Sequence, residues 1–439
     1  MKKVKRRANA ALLLALALLA GLGLFTWRFV TQGRQWVNFS ANQNVFQGGQ
    51  LLTGTVTDRQ GVVLAEMTDG ARSYHSDPQT RIASLHAVGD VDGNIGTGAL
   101  TAFADALSGY SLVGGASDRG GTVRLSIDAE WNRCAYAALI NTGCHGAVLV
   151  SDYTTGEILC MTSSPSYDPD TGFDMTDPWF DGVWLNRGLS AAYTPGSVFK
   201  LVTLAAALEQ LPDLKDRAFT CQGSTTVNGS VVTCTGYHGT QTIEQALANS
   251  CNVAFAELSL ELGGETLLDY ARKLGLTGQL LVSGIYTARG QFDVAADDTP
   301  ELAWSGIGQS TDLVCPTALL RAVGAVANGG TAVGPVLRRG EHGAQERLLS
   351  PETAEQIRDM MSYNVVNAYG AGAFPGLALC AKTGTAEVGD GTSHAWFAGF
   401  LDDPDHPYAF VVIVEHGGGG LRVAGPIANT VLQEMVKAG

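Results

Sequence analysis

Cationic side chains are scarce in this chain and unevenly placed. Of 439 residues, 28 are Lys or Arg against 42 Asp or Glu, a formal net charge of −14. Nucleic-acid binding rests on cations that neutralise phosphates. No basic stripe with interleaved aromatics is present, so that class of partner is excluded. Internal repeats and low-complexity tracts are also absent, while 45% hydrophobic residues suffice for a large core or two domains.

The one long hydrophobic run lies at the start. "MKKVKRR" packs five cations into seven residues and is followed by "ANAALLLALALLAGLGLFTW", residues 8–27, twenty residues without a charge. As a helix at about 1.5 Å per residue this run spans about 30 Å, the thickness of a bilayer core. Cations ahead of the span predict a cytoplasmic tail (residues 1–7), an anchor (residues 8–29) and the remainder extracytoplasmic. A cleaved signal peptide is the competing reading, but its apolar core is only roughly 7–15 residues, and no lipidation cysteine follows this run. The acidic remainder would not adhere to anionic lipid headgroups, as befits a cell-membrane protein whose outer part is held off by a tether.

Beyond the anchor the pattern changes twice. Residues 31–121 are rich in Gly, Thr and Asp, with short strand-like pieces such as "GTVTDRQGVVLAEM" turning at Asp58-Arg59-Gln60-Gly61, and predict a small β-rich domain. "GASDRGG", residues 115–121, reads as a linker. From Thr122 to residue 439 the pattern is mixed. "GAVLVSDYTTGEILCMTSS" is a hairpin turning at Thr154-Thr155-Gly156, and a long helical section with few strand signals runs from about 196 to 330. "ALCAKTGTAEV", "HAWFAGFLD" and "YAFVVIVEH" are three antiparallel strands, and "PIANTVLQEMVKA" is a closing amphipathic helix with Pro426 near its start. Strands at both ends with helices between predict an α+β domain, an antiparallel sheet flanked by helices and completed by strands distant in sequence.

Three segments carry chemistry. "AAYTPGSVFKLVTLAAALEQLP", residues 191–212, predicts a helix apolar on nearly every side and hence buried, yet Lys200 stands in its first turn as the only cation between Arg187 and Lys215. Ser197, three residues earlier, shares its face. A serine becomes nucleophilic when a base removes its proton, and burial lowers a lysine pKa enough to supply one. By itself S-x-x-K is more often a surface serine beside a snorkelling lysine. In "TIEQALANSCNVAF", residues 242–255, a Thr242/Gln245 capping box leads to Ser250-Cys251-Asn252, where Ser250 and Asn252 can aim at one point; in isolation a bland turn accounts for it. In "CAKTGTAEVGDG", Lys382, Thr383 and Thr385 offer donors for a carboxylate, and Gly384 predicts close approach of another backbone, such as an extended substrate peptide. A protective lysine on an edge strand would not explain that glycine.

"SVFK", "SCN" and "KTGT", in this order, match the motif set of penicillin-binding proteins and class A β-lactamases. "LSIDAEWNRCAYAAL", "GIGQSTDLVCPTALLRAVGAVANGG" and "HAWFAGF" likewise resemble segments of a penicillin-binding transpeptidase domain. "GTVTDRQGVVLA" resembles the start of the class B pedestal, with Thr53 and Gln60 replacing the usual arginine and asparagine. The resemblance implies a class B-like penicillin-binding protein with the penicillin-binding transpeptidase fold. In it Ser197 is acylated, Lys200 is its base, Ser250 relays a proton and Asn252 holds the substrate amide. Lys382 tunes local charge, Thr383 and Thr385 take the terminal carboxylate, and the N–H groups of Ser197 and Thr385 form the oxyanion hole. It further implies stem peptides ending in D-Ala-D-Ala as donor, β-lactams as inhibitors, no cofactor, and a glycan polymerase and other wall-synthesis proteins as partners. A D,D-carboxypeptidase or serine β-lactamase would use the same serine, although the E-x-x-L-N segment of class A β-lactamases is missing between Asn252 and Lys382. A wall-synthesis scaffold or β-lactam sensor is the non-enzyme alternative.

Eight cysteines remain to be placed. Cys134, Cys144, Cys160, Cys315 and Cys380 sit in apolar surroundings as small core residues. Cys221 and Cys234 flank the polar loop "CQGSTTVNGSVVTC", which a disulfide could close. Two other readings stand beside that bridge: reduced thiols, and a Cys3His zinc site formed by Cys221, Cys234, His238 and Cys251.

Overall fold

The structure, a computed structural model, describes residues 1–438 apart from 38–45, 48, 49, 69, 70, 116, 118, 119, 294, 295, 298 and 371. Three residues of the expected 115–121 linker therefore lie outside the described residues. Helix α1 (Lys2–Val37) includes the stretch Lys2–Gly33, long and apolar enough to cross a membrane and with none of its apolar window buried against the protein.

A small sheet comes next, in the order Ala71–Tyr74, Val63–Thr68, Thr55–Thr57, Thr122–Arg124. Its last pair is parallel, so the strand at Thr122 joins this sheet although the sequence changes character there. Asp58 ties the small sheet to the first helix of the larger domain. Its carboxylate is buried and accepts the backbone N–H groups of Gln60 and Val62 at 2.8 Å and of Ala129 at 3.1 Å. Ala129 opens that helix, α2 (Ala129–Ile140), whose own cap is Asp128. The Arg59 guanidinium lies 5.3 Å over the Trp131 ring, a second link between the two segments.

The larger sheet comprises β1 (Gly146–Asp152), β2 (Ile158–Ser164), β3 (Leu379–Glu387), β4 (Ser393–Leu401) and β5 (Tyr408–Val414). Its order is β3-β4-β5-β1-β2 and every pair is antiparallel. The two chain-distant groups of strands join where Tyr408 faces Asp152 and Val414 faces Gly146. Side chains alternate between two cores. Val148 and Val150 pack with Trp131 and the closing helix, whereas Ala147 and Leu149 pack with the helical section. Both faces are covered, and the strands accordingly read as nearly continuous apolar runs.

Helices α3 (Lys200–Gln210) and α4 (Asn252–Leu262) pack on each other in the helical section, whereas much of the cover comes from α5 (Pro316–Ala327) on one face and from α2 and α6 (Gly420–Ala438) on the other. Two expectations need correction. The section from 196 to 330 contains, among its described residues, three antiparallel pairs, Phe219–Cys221 with Gly239–Gln241, Ser224–Val227 with Ser230–Thr233, and Leu281–Val282 with Ile285–Tyr286. Asn228-Gly229 turns the second pair, both residues at positive φ, as a two-residue hairpin requires. The closing helix begins at Gly420, so Pro426 lies inside it, where its ring cannot donate to the preceding turn.

The Asp58 junction generates a test. Asp58→Ala leaves the N–H groups of Val62 and Ala129 without their acceptor and is expected to lower stability by about 2–4 kcal/mol. Thermal unfolding of the full chain measures it, and an unchanged melting temperature would show that the carboxylate does not hold the junction.

Candidate active site

Trp396 in β4 donates its indole N–H to the Thr194 carbonyl at 2.9 Å and so fixes the turn that enters the reactive helix. Gly196 has φ +56, and a Cβ there would lie 2.6 Å from the Thr385 carbonyl oxygen. A Cβ on Gly384 would lie 2.8 Å from the Pro195 carbonyl oxygen. The backbone that demands Gly384 is therefore the chain's own turn, not a bound peptide. With both side chains missing, strand β3 and the Thr194–Ser197 turn press together.

Gly196–Phe199 forms a 3-10 turn ahead of α3. Residues three apart eclipse one another in that geometry, which sets Lys200 Nζ 3.0 Å from Ser197 Oγ. Every residue from Lys200 to Ala207 is buried, Lys200 completely. Burial pushes the Lys200 ammonium down to about 7. Its nitrogen also meets the Ser250 carbonyl at 2.7 Å, Asn252 Oδ1 at 2.7 Å and Ser250 Oγ at 3.1 Å. Two of these partners, the Ser250 carbonyl and Asn252 Oδ1, can only accept. A neutral amine has two N–H bonds and one lone pair, so both N–H bonds go to those acceptors and the lone pair is left for a hydroxyl proton.

Ser250 has φ +50, an uncommon conformation for a non-glycine residue, and this turn sends both its carbonyl and its hydroxyl to Lys200. The second lysine reaches the same hydroxyl from β3, with Lys382 Nζ donating to Ser250 Oγ at 3.0 Å. Lys382 is wholly buried, and burial, then the charge of Lys200, drives its pKa well below the usual lysine range. The Asn252 amide is engaged at both ends, for its Nδ2 donates to the Thr233 carbonyl at 2.8 Å. Its role visible here is to locate the lysine.

Ser197, Ser250, Asn252, Thr383 and Thr385 share one cavity of about 610 Å³, lined also by Thr233, Cys234, Glu301 and Trp304. A larger hollow of about 740 Å³ between α2 and α6 contains none of the three motifs. Two supporting residues were not foreseen from sequence. Tyr369 OH accepts the Thr383 N–H at 2.8 Å and donates to Thr383 Oγ1 at 3.2 Å, while Asn364 Nδ2 donates to that phenol at 2.7 Å. Burial pushes Tyr369 up to about 12, so it stays a neutral donor. Neither residue belongs to a motif, and the helical pattern around them hides the bend toward β3.

No S–S bond joins Cys221 and Cys234 in this structure, in which all eight cysteines are unbridged. Cys234 faces Cys251 instead, with 3.9 Å between the sulfurs. The hydrogen bond from Cys251, with backbone N–H groups including that of Asn252, pulls the Cys234 thiol well below its usual range. The same bond, with burial, pushes Cys251 up.

A hydroxyl set against the lone pair of a buried lysine, with a second serine and a second lysine behind it, defines a serine–lysine acyl-transfer enzyme. The chain belongs to the penicillin-binding transpeptidase family: the family model described as penicillin binding protein transpeptidase domain matches residues 146–433. It is 30% identical over 367 residues to the peptidoglycan D,D-transpeptidase PbpA of Mycolicibacterium smegmatis, covering 74% of each chain. It is 33% identical over 313 residues to the stage V sporulation protein D of Bacillus subtilis, covering 64% of this chain and 47% of that one. The ceftriaxone acyl-enzyme of penicillin-binding protein A from M. tuberculosis superposes with a TM-score of 0.71 at 25% identity, over 87% of this chain and 97% of that one. The chain is accordingly a serine-type D,D-transpeptidase of the class B kind.

Lys200 can serve as a base only when it is unprotonated. With its pKa lowered to about 7, acylation by a fluorescent penicillin is expected to level off above that pH. Below it the rate should fall roughly tenfold per pH unit. A flat profile between about pH 5 and 9 contradicts the assignment. Lys200→Met is expected to lower the same rate by about 10²–10⁴-fold.

Proposed function

We propose that this chain cross-links peptidoglycan stem peptides ending in D-Ala-D-Ala through an acyl-Ser197 intermediate, on the outer side of a membrane in which α1 is the anchor. The 3.0 Å contact of Lys200 Nζ with Ser197 Oγ, beside two obligate acceptors on the same nitrogen, is the observation that supports this reading most strongly. Lys200 removes the Ser197 proton, and Ser197 Oγ attacks the carbonyl of the penultimate residue. Backbone N–H groups of Ser197 and Thr385 stabilise the resulting oxyanion. Ser250, between Lys200 and Lys382, passes the proton to the departing D-Ala nitrogen. Thr383 and Thr385, on the cavity face of β3, receive the terminal carboxylate, and Lys382 tunes the local charge behind them. An amine of a second stem peptide then attacks the acyl carbon, the bond to Ser197 Oγ breaks, and Lys200 carries the proton of that amine to the departing Ser197 oxygen.

The reading extends to the rest of the chain. Residues 31–121 form a pedestal that sets the catalytic segment, residues 122–439, away from the bilayer, and the acidic exterior suits that position. β-Lactams acylate the same serine, and a glycan polymerase with other wall-synthesis proteins supplies and positions the substrate strands. The cationic heptad at the N-terminus remains in the cytoplasm.

Intact-mass and peptide mapping after penicillin treatment of the full chain test the nucleophile. One adduct on Ser197 is expected, none in Ser197→Ala, and the adduct should persist for hours. An adduct on another residue overturns the mechanism, and loss within seconds identifies a β-lactamase instead. Incubation with a D-Ala-D-Ala peptide and an acceptor amine should release D-Ala and form the cross-linked product; release without that product identifies a carboxypeptidase.

A further inference from the structure

Beside the reactive serine lies a second group of side chains that acyl transfer does not use. One donor atom from each of Cys221, Cys234, His238 and Cys251 lies within 4.8 Å of all the others. Cys221 and Cys251 are buried and the other two half-buried. Three thiols and an imidazole converging at that range match a structural zinc site in ligand type and number. With Zn–S about 2.3 Å and Zn–N about 2.0–2.1 Å, a tetrahedral ion sets S···S edges of about 3.8 Å and S···N edges of about 3.6 Å. Here the Cys234 and Cys251 sulfurs are 3.9 Å apart, and Cys234 Sγ lies 3.6 Å from His238 Nδ1.

The donors come from three places in the fold. Cys221 ends the strand Phe219–Cys221, Cys234 and His238 stand between the strands Ser230–Thr233 and Gly239–Gln241, and Cys251 is the first-turn cap of α4. Cys251 is also the central residue of the Ser250-Cys251-Asn252 turn. The Asn252 N–H donates to Cys234 Sγ at 3.2 Å, a backbone bond to sulfur of the kind that orients metal-bound thiolates. Asn252 Nδ2 meanwhile holds the Thr233 carbonyl, so the hairpin and the turn already touch twice.

We propose that Cys221, Cys234, His238 and Cys251 bind one zinc(II) ion, which clamps the hairpin to the Ser250–Asn252 turn and so holds Ser250 and Asn252 against Lys200. On binding, the thiol protons pass to solvent, and no oxidation state changes. The hydrogen bonds of the cysteine and histidine side chains go to one another and to backbone, not to Ser197, Lys200 or Ser250, which makes the ligands positioning residues. The unusual φ of Ser250 gives the clamp its purpose, since a turn in that conformation needs outside support. The clamp rests on the acyl-transfer reading, whereas the ion's presence does not.

The test is elemental mass spectrometry of the detergent-solubilised full chain, dialysed against zinc and then against metal-free buffer. About one zinc per chain is expected, falling to a small fraction in Cys221→Ser and in His238→Ala. Cobalt(II) in its place should show the intense visible bands of tetrahedral thiolate coordination. Zinc-free wild-type protein, or zinc retained fully by both variants, overturns the site. Stripping the ion should lower Ser197 acylation by fluorescent penicillin roughly tenfold or more, with recovery on zinc but not magnesium. Equal rates in stripped and loaded protein overturn the clamp. Were Ser197 to remain unacylated even in loaded protein, the acyl-transfer reading would fail while the zinc count still decided the site.

Discussion

An amine can act as a base only if its lone pair is free, and inside a protein an amine is usually surrounded by groups that want its protons. Lys200 satisfies both conditions because the acceptors around it are counted out. The Ser250 carbonyl and Asn252 Oδ1 take two N–H bonds at 2.7 Å each, and the remaining neighbours are hydroxyls that can donate as well as accept. A third obligate acceptor would favour the ammonium and abolish the base. The surrounding apolar helix acts in the same direction, because it removes the water that would otherwise solvate a charge. Stability and reactivity here draw on the same burial.

Holding those atoms within tenths of an ångström falls to the backbone. The motif of Ser197 and the motif of Thr383 and Thr385 are separated by about 180 residues, yet Gly196 and Gly384 let their backbones touch. The close approach is a consequence of the sheet. β3 joins β4 and β5, β5 pairs with β1, and the helical section inserted between β2 and β3 folds back onto the face they share. Trp396 then locks the Thr194 carbonyl from β4. Any larger side chain at either glycine would move the nucleophile away from its carboxylate-binding strand.

How much of this is legible in the sequence depends on how local the cause is. The Lys200 environment is local, for an unbroken apolar run around one cation predicts a buried lysine, and the structure sets its nitrogen 3.0 Å from Ser197 Oγ. Sheet strands with both faces covered show as apolar runs, so β1 to β5 are readable one by one. Gly384 signals a close approach, but sequence cannot say whose backbone approaches, and it proves to be Pro195. The hairpin at Asn228-Gly229 carried a strong turn signal that the surrounding helical pattern overshadowed. Tyr369 and Asn364 escaped because their importance lies in a contact with Thr383 that only the tertiary fold creates. The cysteines show the same limit from the other side. Spacing admits a bridge, an ion or thiols, and only the third dimension shows Cys234 facing Cys251.

Two lysines on one hydroxyl raise the question of where the proton resides. Lys200 and Lys382 approach Ser250 Oγ at 3.1 and 3.0 Å, and both are fully buried. Two full charges converging there without a facing carboxylate would be costly, and a hydroxyl can accept from one partner while donating to the other. The stable arrangement has a single proton shared over the pair. Burial and the charge of Lys200 both drive Lys382 toward the neutral amine, which keeps the Thr383 carbonyl as a further acceptor. In the proposed mechanism the proton that Ser197 gives to Lys200 moves on through Ser250, which touches both lysines, toward the leaving nitrogen. The second lysine fixes the Ser250 hydroxyl at the end of that relay, a use for two lysines where one base would suffice to remove the proton.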